Sequence, residues 1–207
     1  MSAPLDEALH EQPPQDLPTR FRSREYSDEA LVRIADVVGY NKESQLSHLK
    51  LADQEKMAIV LDETRLVIWI AGVRESQTSN KGSWSVYFGE GSQYSVNGCI
   101  DTDGHSGNWF QTLEALSQAT TIIRTLAASH DKIRQVTVAS FAMGILKALM
   151  GESDQWSTYV KTAREDLLDL KRTHGIAVSF WILYHGKSAQ GQAAQALAAH
   201  ALTSGES

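Results

Sequence analysis

The sequence predicts an α/β protein with a mixed five-stranded sheet, three antiparallel strands followed by parallel additions, flanked by helices. Two observations predict it. Residues 66–102, LVIWIAGVRESQTSNKGSWSVYFGEGSQYSVNGCIDT, read as three strands in succession. Beyond residue 109, patterns of helical and strand period alternate to the end of the chain. With 207 residues and 42% hydrophobic content, the chain supports one core domain of about 140 residues plus an extension.

In chain order, residues 1–22 contain all four prolines (Pro4, Pro13, Pro14, Pro18) and read as a disordered leader. Residues 23–63 read as an N-terminal helical extension. Within it, residues 27–38 pattern as a helix. Ser27 is a candidate N-cap, Asp28 and Glu29 lie in the first turn, Leu31, Ile34, Ala35 and Val38 share a face, and Gly39 is a stop. From 40 to 53 the pattern is weak, and 57–61 suits a short strand or the approach to the sheet.

The domain proper spans 64–202. Residues 66–72 form a short apolar run, as expected of a strand buried on both faces. Residues 83–89 alternate, with Trp84, Val86 and Phe88 on one face and Ser83, Ser85 and Tyr87 on the other. Gly-Glu-Gly-Ser at 89–92 is a turn signal, and a third strand occupies 94–100. That connection is too short for a crossover helix, so these strands are antiparallel. A Gly/Asp/Ser loop at 101–108 leads into a long helix over 109–128. A strand follows at 135–139 and helices at 141–150 and 156–172. The last strand is 176–184 and an Ala-rich helix covers 189–202, leaving 203–207 as a flexible tail.

The net charge of −6 argues against a strongly basic nucleic-acid binder, although not against a local basic patch. The single cysteine, Cys99, excludes an internal disulfide and a zinc cluster, and its position in a strand predicts a small core residue. The N-terminus lacks the basic and apolar regions of a secretory signal. No apolar run approaches the roughly 18 residues of a membrane span. The expectation is an intracellular protein, cytoplasmic or nuclear, with no membrane partner.

The element order β-β-β-α-β-α-α-β-α resembles the ribonuclease H fold over residues 64–202. GSWSVYFGEGSQYSVNG is similar to the second and third strands of fungal ribonuclease H-like proteins of type 1. VTVAS before a helix resembles the fourth strand, and HGIAVSFWILYHG resembles the fifth strand running into a loop that carries a motif histidine. The resemblance implies an endoribonuclease that cuts the RNA strand of an RNA–DNA hybrid with two Mg²⁺ ions. Hard, closely spaced cations need a cluster of carboxylate oxygens.

At the matching positions this chain lacks them. The first acid would fall in an Asp-Gly pair, where Ala71-Gly72 stands. The second would open the long helix, and two registers compete, one giving Thr112 and one Glu114. Three, four, seven and eleven residues beyond Thr112 stand Ala115, Leu116, Ala119 and Ile123, an apolar face. Beyond Glu114 the same spacing gives Ser117, Gln118, Thr121 and Thr125, a polar one, which favours Thr112. The third acid belongs to an Asp-Ser pair, matched by Ala139-Ser140. The fourth lies ten residues past the motif histidine, matched by His185, and is replaced by Gln195.

Catalytic residues and a bound metal are therefore not expected, although active relatives use Mg²⁺, and His185 has no hydrolytic step to serve. The chain reads as a ribonuclease H-fold pseudonuclease, with weakly bound nucleic acid or a protein as partner. Two alternatives stay open: an active hybrid ribonuclease with an unorthodox site built from Glu114, Asp101 or Asp103, and a protein-interaction scaffold with no nucleic-acid affinity. The Asp101, Asp103 and His105 cluster also fits a turn-rich loop in which Asp and Gly satisfy backbone geometry.

Overall fold

A computed structural model describes residues 38–41, 46–49, 65–76, 78–102, 107–129, 132–151, 157–184 and 188–204. The elements are β1 (Val38–Asn41), β2 (Leu46–Leu49), β3 (Arg65–Arg74), β4 (Lys81–Tyr87), β5 (Val96–Asp101), α1 (Trp109–Ser129), β6 (Gln135–Ser140), α2 (Met143–Leu149), α3 (Ser157–His174), β7 (Ala177–Ile182) and α4 (Ala189–Ser204). The strands form one seven-stranded sheet in the order β1-β2-β7-β6-β3-β4-β5. Its five strands β3 to β7 are those expected: β3, β4 and β5 pair antiparallel, and β6 and β7 add in parallel to β3.

The remaining two strands were not legible as such. β1 and β2 form an antiparallel hairpin, and β2 pairs parallel with β7. The extension expected to be helical thus contributes strands, and Gly39, read as a helix stop, lies within β1 opposite His48. Apart from Val38, the helix expected over 27–38 lies outside the described residues, as do the segment 57–61 and the leader 1–22. Helix α4 runs two residues past the expected boundary at 202, to Ser204.

β3 lies inside the sheet, between β6 and β4, and is covered on both faces, which explains its continuous apolar run. Leu66, Ile68 and Ile70 point into a core shared with Ala115, Leu116, Ala119 and Ile123 of α1 and with Leu146, Leu167 and Leu170 of α2 and α3. Val67, Trp69 and Ala71 point the other way, into a smaller cluster with Ala139, Trp181, Leu183, Ala194 and Ala198. Alternation along β3 therefore sends successive residues to opposite helical layers. On α2, Met143 is 47% exposed, whereas Leu146, Ala148 and Leu149 are buried. Among the described residues no helix is long and apolar enough to cross a membrane.

The two helical layers are held by different means. α1 packs by side-chain volume. α4 presents Gly191, Ala194, Ala198 and Ala201 and comes close enough for the sheet to bond its backbone. Ser85 Oγ donates to the Ala194 carbonyl and Ser83 Oγ to that of Ala198, each at 2.7 Å. Asn97 Nδ2 donates to Leu197 O at 2.8 Å, and Cys99 Sγ to Ala201 O at 3.1 Å. Donors at alternate positions of β4 and β5 thus meet carbonyls three and four residues apart on one side of α4. Cys99 is exposed rather than a core residue, because β5 is the outermost strand at that end of the sheet.

Candidate functional site

The cleft that gathers three of the four matched positions opens at the carboxyl end of the parallel strands β3 and β6. Its volume is about 140 Å³, and Ile70, Ala71, Gly72, Asn108, Thr112, Ser140, Phe141, Ala142 and Gln195 line it. Three elements meet there because of one glycine. A Cβ on Gly72 would lie 2.6 Å from the Thr112 backbone nitrogen and 2.8 Å from the Asn108 carbonyl oxygen, so only glycine lets the first turn of α1 rest on the end of β3. That turn is closed by the Thr112 amide donating to Asn108 O at 3.1 Å and by Thr112 Oγ1 donating to the same oxygen at 2.8 Å. α4, drawn in by Ser83 and Ser85, brings Gln195 to the opposite wall.

Ala71, Thr112 and Gln195 are therefore together. Glu114 is not with them. Two residues further along α1, about 200° around the axis, it accepts a hydrogen bond from Gln118 Nε2 at 2.8 Å. The apolar face counted from Thr112 is buried throughout, at Ala115, Leu116, Ala119 and Ile123, while Ser117, Thr121 and Thr125 on the Glu114 side are exposed.

Ala139 does not line the cleft. It pairs in register with Trp69, and Ala71 lies two residues further along β3. The position level with Ala71 is accordingly 141, not 139, and Phe141 lines the cleft with Ser140 and Ala142. The sequence match put the Asp-Ser pair at Ala139-Ser140 without reference to this level, since the pattern of one strand carries no information about its register against another. Asp101 is exposed at the end of β5 and is not among the lining residues. Asp103, His105 and His185 lie outside the described residues.

The chemistry of the lining is neutral. Ser140 is 2% exposed, and its Oγ accepts from the Ala142 amide at 3.2 Å. The side chains of Asn108 and Gln195 are carboxamides, and Thr112 has already committed its proton to Asn108. No carboxylate, histidine or cysteine is among the described residues that line it. Among the described residues no group of three or more His, Cys, Asp or Glu is placed to hold a metal ion. The donor set of this cleft, two amide oxygens and two hydroxyls, does not fit a pair of Mg²⁺ ions, which need several anionic oxygens close together.

A separate polar group lies beneath the first turn of α1. Gln111 is fully buried, and among the described residues neither its Oε1 nor its Nε2 has a hydrogen-bond partner. Its amide sits against Gly82 of β4, where a Cβ would collide with Nε2. Sequence reasoning missed this residue because helical period alone places it beside the apolar face without saying what lies opposite.

No family model matches the chain, and no curated protein matches it. Solved structures do. A ribonuclease H1 isolated from compost by a metagenomic approach (LC11-RNase H1) matches at 13% identity and TM-score 0.51, over 70% of this chain and 99% of that one. The crystal structure of LC11-RNase H1 in complex with an RNA/DNA hybrid matches at 16% identity and TM-score 0.53, over 69% and 99%. The chain has the ribonuclease H-like α/β fold, with the β1–β2 hairpin added beyond β7.

Proposed function

We propose that this protein is a ribonuclease H-fold pseudonuclease that binds nucleic acid, RNA–DNA hybrid foremost, without cutting it. The observation that carries this reading is the cleft itself: Ala71, Thr112 and Gln195 converge, and none of the described residues lining the cleft is anionic. The similar enzyme described in complex with an RNA/DNA hybrid supports the choice of ligand. Retention of the scaffold favours a binding role, and replacement of the matched acids by neutral groups disfavours metal-dependent hydrolysis. An active site built on Glu114 is less well supported, since that carboxylate is engaged by Gln118 away from the cleft.

The deciding experiment combines binding and cleavage. Purified full-length protein is titrated with labelled hybrid, duplex and single strand at low and moderate salt, then incubated with hybrid and Mg²⁺ or Mn²⁺. Binding of hybrid with no cut RNA strand is the expected result. Metal-dependent cleavage that disappears in Glu114→Ala would establish the active alternative. No affinity for any of the three nucleic acids would leave a protein-interaction scaffold.

A further inference from the structure

We infer that the cleft is a metal-independent seat for a backbone phosphate, with neutral N–H and O–H donors holding the anion directly. The inference rests on the nucleic-acid reading above and deepens it. Four features of the cleft point to an anionic oxygen ligand. The carboxamides of Asn108 and Gln195 border it, and their N–H groups are not engaged by other protein groups among the described residues. Each carboxamide offers two donors. Ser140 Oγ, almost wholly buried, accepts from Ala142 N and so keeps its own proton for donation into the cleft. The first turn of α1 opens beside Asn108 and carries no acidic residue, so it presents the positive end of a 21-residue helix dipole.

The absence of lining carboxylates completes the case. A metal-holding cleft must be negative before its ions arrive and repels a phosphate without them. The described lining of this one is neutral, and its donors are the carboxamides of Asn108 and Gln195 and the hydroxyl of Ser140, since Thr112 has spent its proton on Asn108 O. Its size of about 140 Å³ admits a phosphate group.

The experiment uses full-length protein and two probes, a labelled RNA–DNA hybrid and inorganic phosphate. In EDTA, wild type binds the hybrid with an affinity that added Mg²⁺ does not raise. Gln195→Glu and Asn108→Asp each weaken it about tenfold or more at constant salt, the scale of a lost hydrogen bond to a charged group. Gln195→Ala and Asn108→Ala weaken it less. Both residues are at least partly exposed, and melting temperatures confirm that the variants fold. Inorganic phosphate raises the melting temperature of wild type and not of Gln195→Glu. Hybrid binding that requires Mg²⁺, or that is the same in all four variants, overturns the phosphate seat and leaves nucleic-acid binding standing. A phosphate shift dependent on Gln195 without hybrid affinity keeps the seat and removes the nucleic acid.

Discussion

Gly72 and Thr112 touch backbone to backbone: a single methyl on Gly72 would lie 2.6 Å from the Thr112 nitrogen. The contact sets the height at which α1 crosses β3 and hence the depth of the cleft. Gly72→Ala is expected to cost about 1–3 kcal/mol, the range for forcing an extra carbon into a packed site. Urea unfolding reads this as a lower midpoint at unchanged slope. A variant as stable as wild type would mean that the helix can lift without loss.

Carboxylates returned to the converging positions should recreate a metal response. Ala71→Asp, Thr112→Glu and Gln195→Asp combined are expected to make the melting temperature rise with Mg²⁺ or Mn²⁺, by about 1.4 kcal/mol of stability at ten times the dissociation constant. Ala71→Asp with Gln195→Asp alone should gain much less, because native Glu114 is turned away to Gln118. An equal response in the double and triple variants would show that Glu114 reaches the cleft after all.

The level of position 141 can be tested in that same background. Adding Phe141→Asp should strengthen the metal response. Adding Ala139→Asp should not, and should lower stability, since Ala139 is fully buried among Trp69, Trp181 and Leu183. The reverse ranking would restore the pairing of Ala139 with the third acidic position.

Gln111 buries both polar atoms of its amide without partners among the described residues. Replacement by methionine, similar in length and apolar, should raise stability by about 1 kcal/mol, because the desolvation cost of an unpaired amide disappears. Thermal or urea denaturation measures it. A destabilised Gln111→Met would indicate that the amide has a partner in solution.

Ser83 and Ser85 tie α4 to the sheet. Ser83→Ala and Ser85→Ala should each lose about 1 kcal/mol, and amide hydrogen exchange should quicken along α4 before the rest of the fold. Uniform quickening across the sheet would mean that α4 and the sheet open as one unit.

Much of the fold was legible because its signals are local. Continuous apolar residues in β3, alternation in β4 and the 3.6-residue period of α1 each report burial of one short segment, and their order pointed to the fold at identities of 13% and 16% to solved relatives. The hairpin was not legible: each strand is four residues long, too short for a period to emerge, and it is a strand because the free edge of β7 offers a ladder to pair with. The candidate site divided in the same way. Helical period chose Thr112 over Glu114 from the sequence; Ala71, Thr112 and Gln195 line the cleft and Ala139 does not.

The sequence by itself determined which residue types were available near the end of β3 and the start of α1, and none of them was a carboxylate facing the core. Only the tertiary structure decided which of them meet. The pairing of Trp69 with Ala139 sets position 141 level with Ala71, and hydrogen bonds from Ser83 and Ser85 bring α4 and Gln195 across the sheet. Periodicity along a strand or helix is a property of neighbours in the chain. The register of one strand against another, and the height of a helix above them, depend on contacts between residues far apart in sequence.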